Sequence, residues 1–176
     1  MVKEYFGTYT FPFNWEVVAS GFWVKYPNPF SQHVVSEDVL SRSINENNVL
    51  VTKRLLVKER NFHIPKWADR YVTFKNVFVI EESYCDANKK TLTSFTRNFS
   101  SNSLMTIIEK CVYTIDPNNP NQTICTKQAH IFSPLLFGSG IEQFALKRFK
   151  KNADKASQGL QWILEKFQVN KFKGYC

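Results

Sequence analysis

The sequence predicts an α+β fold in which a curved antiparallel sheet of seven strands packs against a long C-terminal helix. Seven segments have the composition and the alternation of apolar and polar residues that are typical of strands. Short connections rich in Asn and Lys join several of them, which favours antiparallel pairing between consecutive strands. The last part of the chain shows helical periodicity over about eight turns. Such a sheet can enclose a ligand cavity between its concave face and the helix.

The elements follow one another without a break in composition. Aromatic and small polar residues alternate over residues 4–11, which predicts a first strand. Asn14 can then cap a short helix, and the two prolines of YPNP must end that helix by Tyr26. Six further strands are predicted over residues 34–44, 49–58, 71–82, 91–99, 105–115 and 123–132, and the terminal helix over residues 139–167.

The segment ERNFHIPKWADR, residues 59–70, fits neither the strand nor the helical period. It combines Phe62, Ile64 and Trp67 with several charged residues. Aromatic residues in loops most often plug the core, and a lid over an apolar cavity is the alternative interpretation. We expect a loop with a function of its own.

We expect one domain, residues 1–168, followed by a basic tail over residues 169–176, because the chain shows no repeat and no linker. A chain of 176 residues hides roughly 70% of its unfolded surface and so needs no metal or disulfide to fold. Cys111 and Cys125 could face each other across a hairpin, but a disulfide there is the less favoured interpretation.

The net charge and the hydropathy of the chain indicate which kinds of molecule it can be expected to bind. The chain has 23 Lys+Arg against 15 Asp+Glu, a formal charge of +8, and such a domain tends to meet polyanions. Its apolar runs are far shorter than the roughly 20 residues of a membrane span, and Lys3 and Glu4 disfavour a secretory signal. The aromatic fraction of 15% fits either a thick core or a wide cavity.

Three polar residues of the terminal helix lie where its apolar face is expected. Arg148, Asn152 and Lys155 are spaced four and three apart, so they form one column within the apolar arc. Buried cations without partners would cost several kcal/mol each. Snorkelling of the long side chains towards water explains the two cations, but it explains Asn152 poorly. The alternative is that the anionic group of a bound amphiphile lies against the column, and periodicity alone leaves both interpretations open.

Five sequence blocks, in order and at the right spacing, resemble the PRELI/slowmo family of mitochondrial intermembrane-space lipid transfer proteins. The resemblance covers essentially residues 1–168 and is closer to the PRELI branch because of the IPKW block. The blocks are KYPNPFSQHV (25–34), KRLLVK followed by IPKW (53–67), SFTRNFS (94–100), EKCVY (109–113) and RFKKNADKASQG (148–159).

The resemblance implies a START-like fold and a carrier that shuttles phosphatidic acid between the outer and inner mitochondrial membranes, in support of cardiolipin synthesis. It implies a location in the intermembrane space, peripheral on the inner membrane, and a small helical twin-CX9C protein as heterodimer partner. The alternatives are a phosphatidylserine carrier of the slowmo type and a lipid-bound scaffold without transfer. No cofactor or metal is implied.

The resemblance also carries site residues over to this chain. Lys25 departs from the family, in which arginine is common at that position, and a lysine loses the bidentate contact to phosphate. The headgroup positions are Lys25, His33, Arg148, Asn152 and Lys155, and the membrane-contact and lid positions are Lys58, Phe62, Ile64, Lys66 and Trp67.

Two other classes of function fit the sequence less well. An enzyme is disfavoured, since the three His are scattered and neither a nucleophile motif nor a metal-ligand cluster occurs. Nucleic-acid binding is disfavoured because no strand combines basic residues with aromatics as RNA-binding sheets do. We therefore expect neither catalysis nor a nucleic-acid partner.

Overall fold

The computed structural model describes residues 2–59, 75–100, 104–135 and 138–173, with side chains as far as residue 168. It confirms the predicted seven-stranded antiparallel sheet and the C-terminal helix. The predicted lid residues Phe62, Ile64, Lys66 and Trp67 lie outside the described part of the chain, so their role stays a prediction. The elements are β1 (Lys3–Phe11), α1 (Trp15–Phe22), β2 (Val34–Ile44), β3 (Leu50–Glu59), β4 (Asn76–Asp86), β5 (Thr91–Asn98), β6 (Thr106–Asp116), β7 (Asn119–Phe132) and α2 (Gly138–Lys173).

The strand order is β1-β7-β6-β5-β4-β3-β2, and every neighbouring pair is antiparallel. Strands β2 to β7 pair in chain order as a meander, while β1 forms the edge of the sheet next to β7. The two strands that α1 connects are therefore the two edges of the sheet. Because the chain must cross from one edge to the other, α1 packs over β6 and β7, beside α2.

The core lies between α1, the sheet and the second half of α2. The Asn14 side chain caps α1 as predicted, since its Oδ1 accepts from the N–H of Val17 at 3.1 Å. The indole of Trp15 donates to the Tyr113 carbonyl at 3.2 Å, which fixes α1 on β6. All four residues of the predicted apolar stripe of α1 are buried, and they pack with Leu92, Tyr113, Leu160 and Leu164.

Three boundaries differ clearly from the sequence expectation. Strand β4 ends at Asp86 rather than at residue 82, because its pairing with β3 and β5 continues through Cys85 and Asp86. Strand β7 begins at Asn119 rather than at residue 123, because residues 119–122 continue the hairpin after a register shift beside Asp116. Helix α2 runs on to Lys173, so the expected domain limit at residue 168 falls inside a helix. Within the described ranges, no helix is long and apolar enough to span a membrane.

Candidate functional site

A cavity of about 250 Å³ lies between the concave face of the sheet and α2. Its walls come from six strands, from α2 and from the turn after α1, and they combine apolar with ionisable side chains. This is the composition that an amphiphilic ligand requires. The apolar lining includes Val77, Val79, Leu104, Met105, Ile107 and Phe144, and the ionisable lining includes Lys25, His33, Lys58, Glu81, Glu109, Lys127 and Arg148.

Only two of the three residues of the helix column line the cavity. Arg148 and Asn152 are half-buried and line the cavity, as their place within the apolar arc predicts. Lys155 is exposed and does not line it. Ala156, Ser157 and Leu160, further along α2, line the cavity again, so Lys155 lies beside the lining face of the helix rather than beyond the end of the cavity. Burial lowers the pKa of the Arg148 guanidinium below its usual value.

His33 lies among three cations at this wall. Burial, together with the charges of Lys58, Arg148 and Lys155, lowers the pKa of His33 to about 4, so the imidazole is neutral at pH 7. The backbone holds it there, because the N–H of Glu59 donates to the His33 carbonyl at 2.7 Å. His33 and Lys58 are 25 residues apart in the chain, and the fold brings them close enough for their charges to interact. We call His33, Lys58, Arg148 and Lys155 the basic cluster.

Lys25 lies on the same cavity but has a partner within the protein. Its Nζ is 2.8 Å from Oε2 of Glu81 and 4.0 Å from the ring centroid of Phe22. The Lys25 side chain is 15% exposed and that of Glu81 only 2%. Burial alone would lower the pKa of Lys25, but the Glu81 carboxylate outweighs burial and raises it. The sequence revealed the cation but gave no indication of its counter-ion.

Glu81 is also held from the other side. Arg54, whose side chain is 1% exposed, donates to Oε1 of Glu81 through Nε at 2.8 Å and through Nη2. Its Nη1 donates to Oε2 of Glu37 at 2.9 Å. The guanidinium also lies 5.0 Å from the Phe22 ring. Two cations and two carboxylates therefore form one connected cluster, which we call the Lys25–Glu81 cluster.

A second buried ion pair lines the cavity on β6 and β7. Nζ of Lys127 is 3.1 Å from Oε1 of Glu109, and the two side chains are 7% and 19% exposed. Thr96 donates to the other oxygen of Glu109 at 3.1 Å. Although burial alone would raise the pKa of Glu109, the charges of Lys127 and Lys58 lower it to about 2. The carboxylate is therefore ionised at pH 7, inside the cavity.

Sequence reasoning missed Arg54, Glu81, Glu109 and Lys127, although strand alternation could have found them. Arg54 alternates with buried Thr52 and Leu56 along β3, and the other three occupy equivalent inward positions on their strands. A charged side chain on the same face of a strand as the buried residues must have either an oppositely charged partner in the protein or a charged ligand. Of the residues that the structure describes, no three His, Cys, Asp or Glu come together as a metal site. Cys85, Cys111 and Cys125 are free thiols.

Comparison of the sequence with known proteins identifies its family. The PRELI-like family matches residues 16–170. The chain is 36% identical over 172 residues to human PRELI domain-containing protein 1, mitochondrial, with 96% of this chain and 78% of that protein covered. It is 35% identical to Protein ups1 homolog of Schizosaccharomyces pombe (88% of this chain, 91% of that protein) and 32% identical to Protein UPS2, mitochondrial, of Saccharomyces cerevisiae (96% and 75%).

Solved structures with little sequence identity share the fold. The protein TTHA0849 from Thermus thermophilus superposes with a TM-score of 0.62 at 14% identity, over 92% of this chain and 97% of that one. The Zhui aromatase/cyclase from a Streptomyces species superposes with a TM-score of 0.58 at 10% identity, over 94% of each chain. The predicted START-like architecture is therefore confirmed as a fold.

Proposed function

The chain belongs to the PRELI-like family, and on that premise we propose that it is a mitochondrial carrier of one anionic phospholipid, phosphatidic acid. The observation that carries the proposal is the cavity, in which apolar walls adjoin the basic cluster. A lipid satisfies both parts at once, since its tails bury apolar surface while its phosphate meets Lys58 and Arg148. The carrier moves the lipid without changing it.

The basic cluster supports an anionic rather than a zwitterionic ligand. Three like charges lie around His33, and its pKa is lowered first by burial and then by their repulsion of a protonated imidazole. An anion among them relieves the repulsion, whereas an added ammonium group increases it. A phosphate monoester can carry up to two negative charges, so phosphatidic acid gains more at this site than a phosphodiester does.

The proposed route has three steps. The chain docks on an anionic bilayer through the basic face of α2, where Lys147, Lys150 and Lys151 are exposed. One lipid then enters the cavity headgroup first, towards Lys25 and Arg148. The loaded chain leaves the outer mitochondrial membrane and delivers the lipid to the inner one, across the intermembrane space.

We also propose the small helical twin-CX9C protein as the partner of the chain. The outer face of the sheet supports a partner, because each of four neighbouring strands exposes a large apolar side chain there. Exposed apolar surface of this extent is typical of protein interaction sites. The four residues are Phe78 on β4, Phe95 on β5, Ile108 on β6 and Phe132 on β7.

Lipid transfer between vesicles tests the function. The purified chain, with its partner, is mixed with donor and acceptor vesicles that carry labelled phosphatidic acid, phosphatidylserine or phosphatidylcholine in separate experiments. We expect phosphatidic acid to move fastest and phosphatidylcholine least. Faster movement of phosphatidylserine would assign the slowmo type of function, and binding without movement would assign a scaffold. Equal movement of all three lipids would contradict the role of the basic cluster.

A further inference from the structure

Glu81 is an acidic residue on the wall of a cavity whose proposed ligand is an anion. Its carboxylate contacts Lys25 at 2.8 Å, and Lys25 is itself a predicted headgroup ligand. Any phosphate that reaches the Lys25 ammonium must therefore share it with Glu81. The proposed function does not account for this carboxylate.

The geometry prevents Glu81 from turning away when a ligand arrives. One of its oxygens is held by Arg54 and the other by Lys25, and the side chain is almost fully buried. Arg54 is fixed in turn by Glu37 and by the ring of Phe22. Burial alone would raise the pKa of Glu81, but Lys25 and Arg54 outweigh it and hold the pKa below its usual value, so the charge stays.

We propose that Glu81 is a positioning and specificity-determining residue, which holds the Lys25 ammonium on the cavity wall and weakens the preference of the carrier for doubly charged phosphate monoesters over singly charged phosphodiesters. This inference rests on the proposed function. The Lys25–Glu81 cluster has no net charge, because Lys25 and Arg54 balance Glu81 and Glu37. Lys25 therefore offers a phosphate its hydrogen-bond donors but little net attraction.

Coulomb's law gives the direction and the scale of the effect. Two anionic groups that share one ammonium lie about 5 Å apart. Each negative charge on the phosphate is repelled by Glu81, so a dianion loses about twice what a monoanion loses. At this separation each charge corresponds to a factor of about four in affinity in bulk water and of a few hundred at an effective dielectric of about 20, so we expect a loss on the order of tenfold or more per charge in a cavity that water enters. Glu81 thereby keeps binding of the monoester loose enough for release at a membrane.

Glu81→Gln tests the proposal, with Glu37→Gln as the matched control. Both changes remove one carboxylate that contacts Arg54, but only Glu81 contacts Lys25 and lines the cavity. The probes are dihexanoyl phosphatidic acid, a monoester, and dihexanoyl phosphatidylglycerol, a diester without an ammonium group. Affinities are measured by calorimetry at pH 8, where the monoester is doubly charged.

In the Glu81→Gln variant we expect both lipids to bind more tightly and the ratio of the two affinities to rise about tenfold in favour of the monoester. In the Glu37→Gln variant we expect a much smaller change of the ratio. If Glu81 had only a structural role, its substitution would change the affinities for both lipids by the same factor. An unchanged ratio therefore overturns the proposal. A ratio that rises equally in both variants overturns it as well, because contact with Lys25 would then not matter.

A protein that binds neither lipid in its unchanged form overturns the proposed function itself, which distinguishes that failure from failure of the role of Glu81. If Glu81→Gln alone does not fold, the double variant Glu81→Gln with Arg54→Met removes the unbalanced cation, and the Met side chain keeps an apolar contact with Phe22. The monoester-to-diester ratio should still rise in that variant, although less, because Arg54 binds Glu81 on the side away from Lys25 and so lies farther from the phosphate than the removed carboxylate does. No rise there would contradict the proposal.

Discussion

Gly159 of α2 packs directly against the side-chain amide of Asn28, in the turn that follows α1. A Cβ atom at residue 159 would lie only 2.4 Å from Asn28 Oδ1. The amide is fixed at both ends, because its Nδ2 donates to the Lys25 carbonyl at 2.7 Å and its Oδ1 accepts from the N–H of Phe30 at 3.0 Å. The absence of a side chain at one helix position thus lets α2 approach the turn that presents Lys25.

Gly159→Ala should destabilise the fold, although alanine is the better helix former. The helix propensity would gain about 1 kcal/mol, but the clash with the fixed amide costs about 1–3 kcal/mol. We expect a lower free energy of unfolding in urea and weaker lipid binding, because the turn carrying Lys25 must shift. Gly140→Ala is the control in the same helix, since a Cβ at Gly140 meets no atom within 4 Å. That variant should be as stable as the unchanged protein or more so, and equal effects of the two changes would refute the packing argument.

His33 should make the protein less stable as the pH falls from about 6.5 to 4. The folded pKa of about 4 lies below the ordinary value of 6.5, so the unfolded chain takes up the proton first. The contribution of His33 is complete above pH 6.5 and is lost as the pH falls towards 4. After allowance for solvent screening, we expect a loss of about 1 kcal/mol over this window.

Chemical unfolding at several pH values measures this dependence, with His33→Gln as the comparison. The variant should lack the part of the slope between pH 6.5 and 4 that His33 contributes. An identical slope in both proteins would show that His33 is not shielded as described. Bound short-chain phosphatidic acid should reduce the slope in the unchanged protein, because an anion near His33 raises its pKa.

Removing one partner of the Glu109–Lys127 pair should destabilise the fold strongly, whereas replacing both partners together should destabilise it much less. Glu109→Gln leaves the Lys127 ammonium in a site where it is 7% exposed, and such an uncompensated charge costs about 3–5 kcal/mol. The double variant Glu109→Gln with Lys127→Met removes the uncompensated charge, so much of the stability should return. Thermal unfolding of both variants checks the expectation. A single variant as stable as the unchanged protein would mean that the pair is not buried in solution.

The number of strands and the antiparallel pairing of β2 to β7 could be predicted from alternation and turn residues, whereas the pairing of β1 with β7 could not. Strand ends were less certain, since residues 119–122 have turn composition and yet pair within β7. On α2, periodicity placed Arg148 and Asn152 correctly at the cavity. It could not show that Lys155 lies off the cavity wall, because residues on both sides of Lys155 along α2 line the cavity and only the packing of the helix on the sheet decides which side chains face it.

Charge pairing was not predictable, because the partners come from different strands. Glu81 and Lys25 are 56 residues apart, and only the fold brings them to 2.8 Å. From the sequence, Lys25 could be identified only as a headgroup position, without its carboxylate partner. The register of β3 with β4, in which Arg54 faces Glu81, supplies the missing carboxylate.

Transfer of phosphatidic acid by two neighbouring charge-reversal variants tests the central claim most directly. Arg148→Glu and Lys147→Glu change the net charge equally, but Arg148 lines the cavity whereas Lys147 is exposed. Labelled phosphatidic acid is followed between donor and acceptor vesicles, after circular dichroism has shown that both variants fold. The account predicts that Arg148→Glu lowers the transfer rate at least tenfold, because an anion at the headgroup site repels the phosphate. Lys147→Glu removes only one of the three exposed lysines on the docking face of α2, so it should lower the rate far less. Equal rates for the two variants would contradict a headgroup site at Arg148.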